Sequence, residues 1–271
     1  MKDEAKNITY IFWTGGWDST YRIVELSRQA VTVQPVYCLT HNRRSTSLEL
    51  QHMEDIINAL TIKPKTKATF LPIKKIDINT LQKNIVIENA FQEITKHNPL
   101  GTQYIPLAKI AKQYPGIELG LEKPNGEFSS AITTIDKFGK LININGCLML
   151  DKDHTTSSCY ALFGNMSFPI CHITERDMLC NIKTWGYEDI MKLIWFCHTP
   201  LRENDEWKSC GICRPCQQKM ECHMEFLLSM SAQKRYRKWK YFSRYLGAVK
   251  ARLFLRIFHF WKVKDFLNKG K

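Results

Sequence analysis

A chain of 271 residues, 44% hydrophobic and 11% aromatic with only 13 glycines and 10 prolines, can bury a sizeable core in one domain plus an appendage, and its composition excludes a low-complexity or disordered chain. A formal net charge of +13 suggests a polyanionic partner, but residues 233–271 hold 13 Lys and Arg against the single acid Asp265, so this tail carries +12 and residues 1–232 are about neutral. The first seven residues lack the apolar stretch of a secretory signal and no window reaches ~18 uninterrupted apolar residues, so the expected location is the cytoplasm, with the tail able to hold the protein peripherally at the inner membrane surface.

Residues 8–13 (ITYIFW) are β-branched and aromatic, as a buried parallel strand requires. They run into Thr14-Gly15-Gly16-Trp17-Asp18-Ser19-Thr20, and a helical run to Arg28 follows with Tyr21, Ile23, Val24 and Leu26 as its apolar positions. Two adjacent glycines allow turns barred to residues with a Cβ and a close approach of backbone to ligand. Asp18, Ser19 and Thr20 can cap the helix whose first N–H groups would face that ligand. The stretch reads as a phosphate-binding loop, against the plainer alternative of a strand-to-helix turn. The Gly-Lys-Ser/Thr of the commoner nucleotide loop is absent, and no lysine is placed to reach a γ-phosphate.

A second strand is expected at Thr32–Leu39, leading through polar residues 41–45 into a helix with Leu48, His52, Ile56 and Leu60 on one face. A third strand at Ala68–Ile76, helical patterns at 81–95 and 105–113, and a fourth strand at Ile117–Leu121 complete the alternation. Strands alternating with helices imply an α/β fold, a parallel sheet with flanking helices, whose ligands gather at the carboxyl ends of strands. Residues 123–168, rich in Gly, Asn, Ser and Thr, read as a loop or hairpin excursion. Order returns at Phe168–Ile173. Thr174 followed three residues later by Asp177 outlines a capping box that opens a helix to Trp185, and a short helix spans Tyr187–Ile194.

Cys197, Cys210, Cys213 and Cys216 form C-x12-C-x2-C-x2-C, a spacing that can close a tetrahedral Zn²⁺ site with all four positions filled. An iron–sulfur cluster uses similar spacing, and unligated thiols or a disulfide pair are the further alternatives. His198, Cys222 and His223 are possible substitute ligands, though surface histidines and a buried thiol explain them equally simply. Cys38, Cys147, Cys159, Cys171 and Cys180 have no metal-like spacing and are expected to pack. Ten cysteines without an export signal favour reduced thiols over disulfides.

These motifs, in this order, resemble the 7-cyano-7-deazaguanine synthase family, pyrophosphatase-loop ATPases of queuosine biosynthesis. The likeness spans residues 8–218. Thr14–Thr20 corresponds to the family's Ser-Gly-Gly-x-Asp-Ser loop with Thr14 in the place of Ser, and His41-Asn42-Arg43-Arg44 with Glu49 beyond is similar to its Tyr-Gly-Gln-Arg-His followed by an acid. Residues 102–112 with Ile117-Glu118-Leu119-Gly120 resemble the helix and strand after its Arg-Asn-Thr element. Thr174-Glu175-Arg176-Asp177-Met178 resembles its Thr-Lys-x-Glu-Ile, and Trp195-Phe196-Cys197 its Thr-Trp-Ser-Cys. The resemblance implies an adenine nucleotide alpha hydrolase-like fold and a ligase that adenylates the carboxylate of a deazapurine-like substrate with ATP and Mg²⁺, releasing AMP and pyrophosphate, with ammonia as acceptor to give an amide and then a nitrile. Trp13, Thr14, Gly15, Gly16, Trp17, Asp18, Ser19 and Thr20 would hold the nucleotide, with Asp18 and Ser19 catalytic; Cys197, Cys210, Cys213 and Cys216 would hold structural zinc. The chain departs from the family at Glu122–Ser130 (EKPNGEFSS) and at Gly101-Thr102-Gln103, where the substrate is recognised, so another acceptor in a modification or defence system, or a degenerate nucleic-acid-binding module, is the alternative. The expected organisation is a catalytic domain over 1–196, a zinc-binding segment over 197–232 and a basic helical tail over 233–271.

In that tail no acid occurs between Phe226 and Lys264, and aromatic residues alternate with Lys and Arg. Phe242, Leu246, Val249, Leu253, Ile257 and Phe260 share one helical face, with Lys240, Arg244, Arg252 and Lys262 mostly opposite. Such a helix can lie on anionic lipid, bind RNA or DNA, or pack on the rest of the chain. The continuous apolar stripe favours lipid over nucleic acid at this stage.

Overall fold

The computed structural model describes residues 8–40, 43–124, 130–144, 146–247, 250 and 253. The chain divides into two compact units, Met1–Asn42 with Thr46–Trp195 and Arg43–Ser45 with Phe196–Lys271.

The first unit is built on β1 (Ile8–Phe12), which pairs in parallel with β2 (Thr32–Leu39), Phe12 lying opposite Val36. Between them runs α1 (Trp17–Ser27), and after β2 comes α2 (Thr46–Thr61), which buries Glu49, Met53, Ile56 and Leu60. The single strand expected over 68–76 is two short ones, β3 (Thr69–Phe70) and β4 (Lys74–Asp77), both parallel to β2. Pro72 lies between them and has no N–H to give a ladder. Two helices follow, α3 (Ile85–His97), capped by the Asn84 side chain, and α4 (Tyr104–Ala111). The chain then returns to the other side of β1 as β5 (Ile117–Glu118), with Ile11 opposite Glu118.

The stretch 123–168 does contain a hairpin, but one that belongs to the sheet and has helices on either side of it. It contains α5 (Ser130–Phe138), an antiparallel hairpin of β6 (Leu141–Ile144) and β7 (Cys147–Leu150), α6 (Ser157–Phe163), and β8 (Met166–Ser167), which runs parallel to β5 and antiparallel to β7. The result is an eight-stranded, mostly parallel sheet in the order β3-β2-β1-β5-β8-β7-β6, with β4 also on β2. Its central positions Phe12, Val36, Ile117, Met166 and Phe168 are buried in one cluster with Ile87, Ala90 and Ile94 of α3 and Leu162 and Phe163 of α6. Each large side chain so buried contributes roughly 1.5–3 kcal/mol. After the sheet comes α7 (Glu175–Trp185), whose capping box forms as expected: Asp177 N–H donates to Thr174 Oγ1 at 3.2 Å and Thr174 N–H to the Asp177 carboxylate at 3.1 Å. The short α8 (Glu188–Met191) ends the unit's helices.

The second unit holds a two-stranded antiparallel hairpin, β9 (Leu201–Glu203) and β10 (Glu206–Lys208), turned at Asn204 and Asp205 with φ 50° and 61°. Asn and Asp tolerate that left-handed backbone, which two-residue hairpin turns require. It continues with α9 (Arg214–Glu221) and α10 (Met230–Leu246), the latter capped by Ser229. Gly211 (φ +79°) lets the chain pass α10: a Cβ there would stand 2.1 Å from the Ala232 carbonyl oxygen. Arg235 of α10 donates from Nε to the Cys210 carbonyl at 2.8 Å and from Nη2 to that of Ser209 at 2.9 Å, and its Nη1 pairs with Glu203. Of the tail's apolar stripe, Phe242 is half-buried and Leu253 exposed, while Val249, Ile257 and Phe260 lie outside the described residues. Among the described residues no helix is long and apolar enough to cross a membrane.

Candidate functional site

The glycine-rich loop leaves the carboxyl end of β1, the position at which a parallel sheet receives ligands. Trp13 still donates its backbone N–H to Val36 at 3.0 Å, and the turn then opens at Gly15, whose φ of +71° a side chain would strain. A Cβ at Gly15 would also stand 3.1 Å from Met53 Cγ, and the Gly15 carbonyl is held by the Trp195 N–H at 2.9 Å. The helix begins at Trp17 with Gly16 in the capping position, and no side chain caps it. The capping role expected of Asp18, Ser19 and Thr20 is therefore corrected: Asp18 lies within the first turn, and the Thr20 hydroxyl accepts the Trp13 indole N–H at 2.9 Å inside the core. The side chains of Trp13, Trp17 and Thr20 are buried, whereas Thr14 is exposed and Asp18 and Ser19 are half-buried. In the predicted set, then, Trp13, Trp17 and Thr20 brace the loop, and Thr14, Asp18 and Ser19 have side chains within reach of a ligand.

Two further acids converge on Asp18. Glu122 follows β5, and Glu175 is the first residue of α7; one carboxylate oxygen from each of Asp18, Glu122 and Glu175 lies within 4.8 Å of the others, a grouping that could hold a metal ion. The three come from segments separated by about 50 to 100 residues, which is why spacing alone did not unite them. The signal present in the sequence was their position, each at a strand's carboxyl end or in a helix's first turn. Three hard oxygen donors suit Mg²⁺, Ca²⁺ or Mn²⁺ and not a soft metal.

The framework beneath is fixed by charge and by close approach. Arg22 of α1 forks onto Glu118 of β5, Nε to Oε2 at 2.8 Å and Nη2 to Oε1 at 2.6 Å, and also bonds Glu25. Burial disfavours the guanidinium charge, but the carboxylates of Glu118 and Glu25 outweigh that and raise its pKa above the ordinary arginine value. At Gly120, just past β5, a Cβ would lie 3.2 Å from the backbone of Ser19, so glycine lets the sheet edge press against the start of α1. On its other side α1 meets α7 through Tyr21 and Trp185, whose rings stack at 5.5 Å, with Asn181 donating to the Tyr21 hydroxyl at 2.8 Å.

In the second unit the four predicted cysteines do come together. Their sulfurs all lie within 4.8 Å of one another and all four residues are buried. Individual separations are 3.4 Å for Cys213–Cys216, 3.9 Å for Cys197–Cys213 and 4.0 Å for Cys210–Cys216. Four sulfurs at ~2.3 Å from a tetrahedral zinc stand about 3.8 Å apart, so the cluster has the right size. Backbone N–H groups point at the sulfurs, from Cys210 to Cys197 at 3.1 Å and from Cys213 to Cys210 at 3.2 Å, and the Thr199 hydroxyl reaches Cys210 at 3.2 Å. Such donors stabilise thiolate. The four share their protons unequally: hydrogen bonding with Cys197 leads in holding Cys210 and Cys213 below the ordinary thiol range, while hydrogen bonding within the cluster pushes Cys197 and Cys216 above it. No cysteine of the chain is in a disulfide. The cluster could hold a metal ion; His198, Cys222 and His223 are not part of it. Compared with known proteins, the sequence matches no family model and no curated protein.

Proposed function

We propose that the first unit is an ATP pyrophosphatase that activates a carboxylate: a substrate carboxylate oxygen attacks the α-phosphorus of ATP, pyrophosphate leaves, and ammonia then displaces AMP to give an amide. The observation that carries this reading is the meeting of Asp18, Glu122 and Glu175 at the start of α1, beside the Gly15-Gly16 turn. Two of the three acids, Asp18 and Glu175, sit in first helical turns. Each helix start contributes about half a positive charge. Clustered carboxylates beside such helix ends are hard oxygen donors of the kind that take a divalent cation. Magnesium held by these three residues would supply Lewis-acid neutralisation of charge building on the leaving pyrophosphate.

The chain's own part is positioning and electrostatics. Backbone donors at Gly15, Gly16 and the start of α1 hold the β- and γ-phosphates and leave the α-phosphorus open to in-line attack. Ser19 and Thr14 offer hydroxyl donors beside them. Zinc is the metal proposed for the cysteine cluster, where four protein sulfurs leave no open position and its role is structural. The acceptor proposed from the resemblance is a deazapurine carboxylate.

Incubation of the full chain with ATP, Mg²⁺, ammonia and a 7-deazapurine carboxylate tests the proposal, with AMP and pyrophosphate as the expected products. ADP, or no nucleotide product, overturns it. Asp18→Asn should abolish pyrophosphate release and leave the thermal midpoint unchanged or slightly higher, because it removes one of three clustered negative charges and no core volume. Full turnover in that variant removes Asp18 from the mechanism.

A further inference from the structure

The described part of α10 has two unlike faces. Ala232, Gln233, Tyr236 and Trp239 are buried, and Arg235 is spent on Glu203 and two backbone carbonyls. Opposite them, Lys234, Arg237, Lys238, Tyr241, Arg244 and Tyr245 are exposed at intervals of three and four residues and form one stripe. Tyr241 and Tyr245 are 58% and 73% exposed, with ring centroids 5.4 Å apart. No acid occurs on the helix.

From this we infer that the outer face of α10 binds single-stranded nucleic acid. An interfacial lipid helix must turn a continuous apolar face outward. Over Met230–Tyr245 the inward face has taken the tryptophan and one tyrosine; outside, apart from the exposed Met230 at the helix start, the stripe is cationic and tyrosyl, with no continuous apolar face. Four cations on one face supply contacts to successive phosphates, and two tyrosines one turn apart supply flat platforms on which unpaired bases stack. Lys234 to Tyr245 spans about 16 Å at 1.5 Å per residue, room for a short run of an extended single strand. This binding is independent of nucleotide hydrolysis in the first unit and is measured without ATP.

The test is fluorescence anisotropy of the full chain with labelled 12-nucleotide oligouridylate and oligothymidylate, and with a duplex of equal length, over a range of salt. Single strands should bind more tightly than duplex; tighter binding of oligouridylate assigns RNA, and equal binding assigns recognition through phosphates and base faces alone. The quadruple variant K234Q/R237Q/K238Q/R244Q should weaken binding at least tenfold and reduce the slope of log affinity against log salt by about 3, from four contacts at ~0.7 each. Y241A/Y245A should weaken binding about tenfold with the slope unchanged, the mark of lost stacking. All substituted positions are exposed, so far-UV circular dichroism and metal content should match the parent. Unchanged affinity in the quadruple variant, equal affinity for duplex, or flotation with phosphatidylserine vesicles without oligonucleotide binding overturns the inference.

Discussion

The glycine loop with its acids and the cysteine cluster are assembled in opposite ways. Asp18, Glu122 and Glu175 are delivered from distant parts of the chain onto a sheet whose core, from Phe12 to Phe168, is complete without them. Cys197, Cys210, Cys213 and Cys216 lie within twenty residues and are buried in a small interior that they share with Ile212, Met224, Leu228, Tyr236 and Trp239, with β9, β10 and α9 short and poor in large apolar groups. A site that rests on a core can be disarmed without unfolding anything. One that is part of a small core cannot, because small folds without enough apolar surface depend on such staples.

The largest break of this comparison is Cys213→Ser in metal-loaded protein. Structural zinc couples on the order of 10 kcal/mol of binding to folding, so the variant should lose its metal and the cooperative unfolding of the second unit, read by elemental analysis and limited proteolysis of residues 196–247. Retention of one zinc with unchanged protease resistance would show that the cluster is not the unit's keystone. Iron with visible absorbance in the parent would replace zinc in the proposal.

A pair of glycine variants sharpens the contrast. Gly211→Ala puts a methyl carbon 2.1 Å from the Ala232 carbonyl oxygen on a left-handed backbone, so α10 must move, at an expected cost of about 4 kcal/mol or more. Gly120→Ala meets Ser19 backbone at 3.2 Å and needs only a few tenths of an ångström of relief, costing about 1–2 kcal/mol in chemical denaturation while lowering ATP affinity. Comparable losses in the two variants would remove the distinction.

The smallest effect concerns thiols outside both sites. Burial alone pushes Cys38 and Cys159 up to about 12, while Cys180 is exposed. At pH 8 a thiol reagent should label Cys180 first and leave Cys38 and Cys159 unmodified until the first unit unfolds. The unfolded thiols ionise from about pH 9 and the folded ones do not, so their contribution to stability is full below that pH and is lost as pH rises toward 12. The unfolding midpoint of the first unit should therefore fall between pH 9 and 11, and a flat profile would contradict the burial of these two groups.

The sheet's first half was legible because each signal was local. The apolar run 8–13 contains β1, which ends one residue earlier at Phe12, and the β2 limits at Thr32 and Leu39 agree with the structure, as does the Thr174–Asp177 box. Residues 123–168 were legible only as far as a hairpin: β8 has two residues, and the alternation of β6 and β7 resembles any surface hairpin, so nothing local shows that it extends the sheet. Pro72 marks the break between β3 and β4 in the sequence, and Asn204-Asp205 the turn between β9 and β10. Of the candidate site, the loop and the cysteines announce themselves through close spacing. Glu122 and Glu175 do not, since only the crossing of β5 and α7 beside α1 brings them to Asp18.

The Arg22 fork sets how far the glycine loop can travel. With the guanidinium pinned to Glu118 from behind and Gly120 pressed on Ser19, α1 has no pivot along its length, and it cannot swing as a rod when a ligand arrives. The loop ahead of it is anchored as well, since the Gly15 carbonyl accepts the Trp195 N–H at 2.9 Å and the Thr20 hydroxyl the Trp13 indole N–H. A ligand at the proposed nucleotide site would therefore meet a turn already formed, with little conformational work to do on binding.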